Sequence, residues 1–337
     1  MIDGFERTRR GMHDGWLGSV DALVTDDIAD ASRLSDLVGG GGDDLDVADL
    51  LRASRLPRLR PVLVVLAARA SGGGSVDPEL QYAAELLHVA LTLHDLAIGP
   101  EKNRRHRVAR RMLRSVGWLG GNRVMLRAMD LARHAPVPGV LDDLLETLGS
   151  FAGGQEVAAQ LLAEGVPTDA LWKAHADGHT GALFSFCCRA GGRVSKARDG
   201  EIAAFGRYGR HIGRMWHLAE DVVLLQGEDA AEQLVGRALV GRPMLPVAVA
   251  AERDPEVAVG WRRLVEHTDP ADAVALMERL DAVRAVSGTR ERMAQEHWAA
   301  RQALSRFPET PYRRALERLA SGLSRAPYED VEPRHGS

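Results

Sequence analysis

The sequence predicts an all-α protein, and three observations carry that prediction. Alternating runs of β-branched residues bounded by tight turns are nearly absent. Apolar residues recur at helical spacing through almost everything beyond residue 75. The interruptions are short breaks containing Gly, Pro or Asp, at 99–100, 136–138, 165–167, 199–200 and 243–246. No linker separates two cores, so the expectation is one domain of about a dozen packed helices.

In order along the chain, residues 1–36 read as an amphipathic helical lead-in, followed by the flexible stretch GGGGDD at 39–44. Residues 1–45 are therefore set apart as lead-in and loop, 46–330 as the helical domain and 331–337 as a flexible tail. A short helix is expected from Asp46, interrupted by Arg55-Leu-Pro-Arg-Leu-Arg-Pro61, after which PVLVVLAARA runs apolar to a second flexible loop, SGGGS at 71–75.

Composition narrows the class. With 337 residues and 45% hydrophobic content the chain can bury a large core. A net charge of -4 gives no whole-protein basis for binding nucleic acid. Cys187 and Cys188 are neighbours in a helical run and cannot easily close on each other, which fits a reducing cytoplasm. The N-terminus MIDGFERTRR lacks the apolar core of a signal peptide, and no run reaches the length of a bilayer span. The expectation is a soluble cytoplasmic protein with no membrane span and no nucleic-acid partner.

The chemistry concentrates on two helices. The stretch 78–99, PELQYAAELLHVALTLHDLAIG, is apolar nearly all round, as a buried helix should be. Its polar residues Gln81, Glu85, His88, Thr92 and Asp95 fall on one stripe, because residues three and four apart share a helix face. Such a stripe is either a hydrogen-bonded seam in the core or the wall of a polar-mouthed pocket. The stretch 202–225 repeats the pattern with Arg207, Arg210, Arg214, His217 and Asp221, and Glu220 beside the last. Facing helices would bring Asp95, Glu220 and Asp221 together. Converging carboxylates repel unless a cation lies between them, and hard oxygen donors suggest Mg2+. Arg104 and Arg105 follow the first striped helix, where their planar guanidiniums could hold a phosphate beside the metal; Arg60 could add another contact. For the later arginines of that basic segment a solvated helix face is the simpler reading. His94-Asp95 also permits an HD-phosphohydrolase reading, but a lone dipeptide without its context carries little weight.

The motifs resemble those of the trans-isoprenyl diphosphate synthases, or polyprenyl synthetases, over nearly the whole chain. The GGKRLRP signature is matched by Leu56-Pro57-Arg58-Leu59-Arg60-Pro61, and the ELIH…LLHDD helix by Glu85-Leu-Leu-His88 through Leu93-His94-Asp95. The following RRG corresponds to Arg104-Arg105-His106, and GNKxAVLxGD to Gly121-Asn122-Arg123-Val124 through Asp130. EGQ is matched by Gly153-Gly154-Gln155 and the KTA helix by His179-Thr180-Gly181. The YGxxxGxAFQxxDDxxD helix corresponds to Tyr208 through Asp221, and EGKxTLP to Val240-Gly241-Arg242-Pro243-Met244-Leu245-Pro246.

The resemblance implies the isoprenoid synthase fold, a single helical bundle around a central pocket. It implies that an allylic diphosphate is held through Mg2+ on Asp95, Glu220 and Asp221, and that isopentenyl diphosphate attacks the carbocation left behind. Arg58, Arg60, His88, Arg104, Arg105, Gln155, His179, Thr180, His217 and Arg242 are the expected diphosphate-binding positions, and Ala90 and Leu91 the chain-length positions. His88 could equally be a satisfied core histidine; Trp216 and Phe186 read as core packing. Family members pair through long helices, so a homodimer, or a heterodimer with an intact synthase, is expected through the apolar surface at 116–128.

The departures from the pattern are chemical. The first aspartate motif is Asp95-Leu96-Ala97-Ile98-Gly99 and the second Glu220-Asp221-Val222-Val223-Leu224, so three of six carboxylates remain. The expected lysines are Pro57 and His179, and the expected glutamine is His217. Stabilising a departing diphosphate is mostly electrostatic, and each missing ligand should cost a few kcal/mol. Two readings follow: a divergent prenyltransferase with a reduced Mg2+ site, or a non-catalytic paralogue that binds a prenyl ligand or partners an active synthase.

Overall fold

A computed structural model describes residues 20, 23–30, 32–38, 59–98 and 107–328. Most of the lead-in, the glycine loop and the tail lie outside these residues, as do Arg58, Arg104 and Arg105. The described chain runs through α1 (Ser32–Val38), α2 (Leu59–Ala70), α3 (Pro78–Ile98), α4 (Arg107–His134), α5 (Val140–Glu164) and α6 (Asp169–Ala176). A π-helical turn, Asp177–Gly181, leads into α7 (Ala182–Val194) and α8 (Asp199–Gln226). Then come α9 (Ala230–Leu239), α10 (Leu245–Arg253), α11 (Pro255–His267), α12 (Pro270–Ala282), α13 (Ala285–Gly288), α14 (Arg290–Leu304) and α15 (Pro311–Arg325). No strand occurs among the described residues, and none of their helices is long and apolar enough to cross a membrane.

Local chemistry sets the helix starts. Asp254, Asp269 and Thr310 each accept a hydrogen bond from a backbone N–H in the first turn of the following helix, and each is followed by proline at the first helical position. Asp77 does the same before Pro78, accepting from the Glu79 N–H at 2.8 Å.

The main core is built on α2, α3, α7, α8, α14 and α15. Helix α2 is buried from Leu59 to Ala68, and its Arg69 turns out to Asp27 at 2.6 Å. Tyr208 on α8 ties down α15 by donating to the Leu316 carbonyl at 2.7 Å. A second apolar cluster, centred on the fully buried Trp261, packs α9 to α13 against Leu161, Leu171 and Leu224. Phe186 and Trp216 lie in the main core, as the sequence suggested.

Glycines set the closest approaches. A Cβ on Gly178 would lie 2.7 Å from Gly154 Cα on α5, and one on Gly213 would lie 2.5 Å from both Gly181 Cα and the Thr180 carbonyl. The π-helical turn is thereby held at backbone contact with α5 on one side and α8 on the other. On an open helix face Gly213→Ala would add about 1 kcal/mol of stability through helix propensity. Here the expected result is a loss of roughly 1–3 kcal/mol from overpacking, read as a lower urea midpoint at unchanged slope; a raised midpoint would contradict the packing described.

Candidate functional site

Four side chains from four separate segments meet near the C-terminal end of α3. Asp95 accepts a hydrogen bond from Gln155 Nε2 on α5 at 2.7 Å and an ion pair from Arg242 at 2.7 Å. His179 Nε2 lies 3.8 Å from Asp95 and 3.3 Å from Gln155 Nε2. The π-helical turn presents His179, whose Nδ1 is anchored on the His175 carbonyl at 3.0 Å. Arg242 reaches Asp95 because Gly241 turns the chain at φ 65°, where a Cβ would strike the Ala158 carbonyl. Burial raises the Asp95 pKa, but Arg242, His179 and Gln155 outweigh it and hold the carboxyl well below the usual range.

Behind this pair lies a row of imidazoles. The His175 ring is 4.0 Å from that of His179 and 5.3 Å from that of His217. Burial, with the neighbouring positive charge, pushes His175 and His217 well below the usual histidine value, so both are neutral at pH 7.

The second carboxylate helix behaves differently from the expectation that Asp95, Glu220 and Asp221 converge on a cation. Asp221 is fully buried; its Oδ2 accepts from Trp172 Nε1 at 3.0 Å and from the Leu245 N–H at 3.1 Å, and Arg237 lies 3.8 Å from Oδ1. It ties α6 and the first residue of α10 to α8. Burial pushes its pKa up to about 7, against the pull of Arg237 and the two hydrogen bonds. Glu220 accepts from Trp216 Nε1 at 2.8 Å on its own helix. Among the described residues no three His, Cys, Asp or Glu side chains are arranged to hold a metal ion. The expected convergence of Asp95, Glu220 and Asp221 on one cation is thus not seen among the described residues. Helical spacing put the carboxylates on faces but not opposite one another.

The first stripe divides in the same way. Gln81 is a seam residue, donating to the Asp27 carbonyl and accepting from the Ala29 N–H, both at 2.9 Å. Arg60 and Glu85 are buried together, 3.7 Å apart. His88 is half-buried and Thr92 donates to its carbonyl at 2.9 Å. Ala90 and Leu91 are buried, and the Ala90 carbonyl lies 3.4 Å from where a Cβ on Gly121 of α4 would sit. Thr180 is half-buried in the π-helical turn.

Sequence reasoning missed Trp172, His175, Arg237 and the network behind His179. In that network Arg214 holds Asp177 at 2.6 and 2.8 Å and Glu296 at 3.3 Å, and His211 pairs with Glu296 at 2.6 Å. The His175–His179 spacing of four was the available signal. Trp172 and Glu296 gave none, because their partners are distant in sequence.

Residues 55–276 match the model of the family described as Polyprenyl synthetase. The chain belongs to that family. It is 26% identical over 270 residues to the octaprenyl diphosphate synthase of Escherichia coli K12, covering 78% of this chain and 84% of that one. It is 29% identical over 246 residues to a geranylgeranyl diphosphate synthase of Mycobacterium tuberculosis, covering 68% of each. Among solved structures, the fold is similar to a Caulobacter crescentus polyprenyl synthase complexed with calcium and isoprenyl diphosphate. That match has a TM-score of 0.76 and 25% identity, and covers 91% of this chain and 97% of that one. A decaprenyl diphosphate synthase of Rhodobacter capsulatus shares the fold at TM-score 0.73 and 23% identity, over 91% and 98% of the two chains. The expected all-α isoprenoid synthase architecture is thus the one observed.

The buried Asp221 makes a pH prediction. Its pKa is about 7 folded and about 3.9 unfolded, so between those values the folded state binds the extra proton. Its contribution to stability is complete below about pH 4 and is lost as pH rises through 7. Asp221→Asn keeps an acceptor for Trp172 and Leu245 without a charge. Its stability relative to the parent should climb from pH 4 to 7 and level off above, in urea titrations at each pH. A difference independent of pH would remove this account of the residue.

Proposed function

We propose that this protein binds an isoprenyl diphosphate in polyprenyl chain synthesis and acts there as a non-catalytic partner of an active synthase. The meeting of Asp95, Gln155, His179 and Arg242 at 2.7–3.8 Å carries the reading of a ligand site. These residues fall in four separate family motifs, and a merely structural ion pair does not require all four. The flanking Arg104 and Arg105, with His88, are proposed for the remaining phosphate charge, and the apolar tail would run along α3 toward Ala90 and Leu91. In relatives, Mg2+ stabilises the departing diphosphate. Here Asp221 is sequestered in the core, and Leu96, Gly99 and Leu224 have no ligating side chain, which supports binding over condensation.

A second reading, a divergent prenyltransferase, is favoured by the retention of Asp95 at the mouth of the site. The two separate on one experiment: labelled isopentenyl diphosphate with allylic diphosphates of increasing length, in Mg2+ and in EDTA, followed by product analysis. Saturable binding without product is expected, and a metal-dependent product would establish the prenyltransferase. Arg104→Ala and Arg105→Ala should each weaken diphosphate binding by roughly tenfold, the scale of one charge-assisted hydrogen bond.

A second copy, or an intact synthase, is proposed to dock on α4. There Leu119 is 72% and Leu126 67% exposed beside Trp118, an apolar patch that a monomer rarely leaves bare. Leu119→Glu with Leu126→Glu should convert a dimer to a monomer in light scattering; an unchanged mass would place the interface elsewhere.

A further inference from the structure

The carboxylate expected to hold the metal is paired in this chain with a guanidinium. Asp95 is the anion at the mouth of the site, and its charge is already matched by Arg242 at 2.7 Å, with Gln155 taking a further hydrogen bond. Of the other two carboxylates, Glu220 accepts from Trp216, and Asp221 accepts from Trp172 and the Leu245 N–H. Magnesium is usually held by one or two carboxylates together with substrate phosphates and water; here Asp95 is engaged by a guanidinium and Asp221 lies bonded in the core.

Arg242, by contrast, is built in. Gly241 is held at positive φ against Ala158, the Arg242 N–H donates to the Arg237 carbonyl at 3.0 Å, and Pro243 follows directly. A guanidinium is always charged and can grip phosphate oxygens in pairs, which an ammonium cannot. Deeper in the same row of side chains, His217 Nε2 is buried with no hydrogen-bond partner among the described residues. A buried polar atom left so is costly unless something else completes it.

We infer that Arg242 is the resident cation of this site and holds a phosphate group of the ligand without a divalent metal, displacing Asp95, while His217 Nε2 supplies a neutral contact. The inference rests on the reading that the site takes an isoprenyl diphosphate. It reverses the usual role of Asp95. In a metal-bridged site this carboxylate helps the anion bind; here it competes with it for Arg242.

The test is calorimetric titration of the full chain with inorganic pyrophosphate and with geranyl diphosphate, in Mg2+ and in EDTA. Affinity in EDTA should be at least as high as in Mg2+, which pairs with the free diphosphate in solution. Asp95→Asn should tighten binding about fivefold, the value of about 1 kcal/mol for freeing a partly exposed ion pair, and Arg242→Gln should weaken it at least about tenfold. Arg242→Lys keeps the charge without the paired grip and should fall between, which covers the case in which Arg242→Gln fails to fold. Binding that needs Mg2+ and is weakened by Asp95→Asn would overturn the inference and leave the ligand reading standing. Unchanged affinity in Asp95→Asn would also overturn it. No binding of either probe in either medium would overturn the ligand reading, and the inference with it.

Discussion

Backbone contact through the π-helical turn is the constraint on which the site depends. Gly178 meets Gly154 and Gly181 meets Gly213, with no room for a Cβ at Gly178 or Gly213. These contacts draw α5, the turn and α8 together closely enough for Gln155 and His179 to reach one carboxylate on α3. A π-helical turn carries one residue more per turn than the α-helix around it, and such insertions re-aim side chains locally. Here the turn sends His179 toward Asp95 and Asp177 toward Arg214. The Arg214 network then ties the turn to α14, so that the placement of His179 is supported from the side away from the site.

Buried charge is handled by pairing almost everywhere. Asp143, nearly inaccessible, is gripped by Arg193 at 2.6 and 3.0 Å, and Arg214 is matched by two carboxylates. Pairs of this kind contribute little net stability, because desolvation offsets the attraction, but removing one member leaves an uncompensated charge. Asp221 follows another course. Arg237 stands 3.8 Å away, beyond hydrogen-bond distance, and burial raises the carboxyl pKa to about 7. A residue that the family pattern marks as a metal ligand is thus chemically suited to holding α8, α6 and α10 together.

Much of the architecture was legible in the sequence because it is set locally. Asp254-Pro255, Asp269-Pro270 and Thr310-Pro311 mark helix starts that need no tertiary information. The apolar girth of 78–98 required a buried helix, and the structure buries it. Motif order identified the fold, since several independent signatures in one sequence are seldom coincidental. The site was half legible: Asp95, Gln155, His179 and Arg242 were all named from motifs, and they do meet.

What the sequence determined by itself was the helical class, several of the breaks between helices, and the polar face of 78–99 and of 202–225. Periodicity fixes a face, because side chains three and four apart point the same way. It does not say what stands opposite. Only the tertiary structure decided that Gln81 and Glu85 are seam residues while Asp95, on the same stripe, faces Arg242. Only it decided that Asp221 turns to Trp172 and the start of α10. Those outcomes depend on contacts 24 to 147 residues apart in the chain, between Asp221 and Leu245 at one extreme and Asp95 and Arg242 at the other. No local rule of spacing reaches that far.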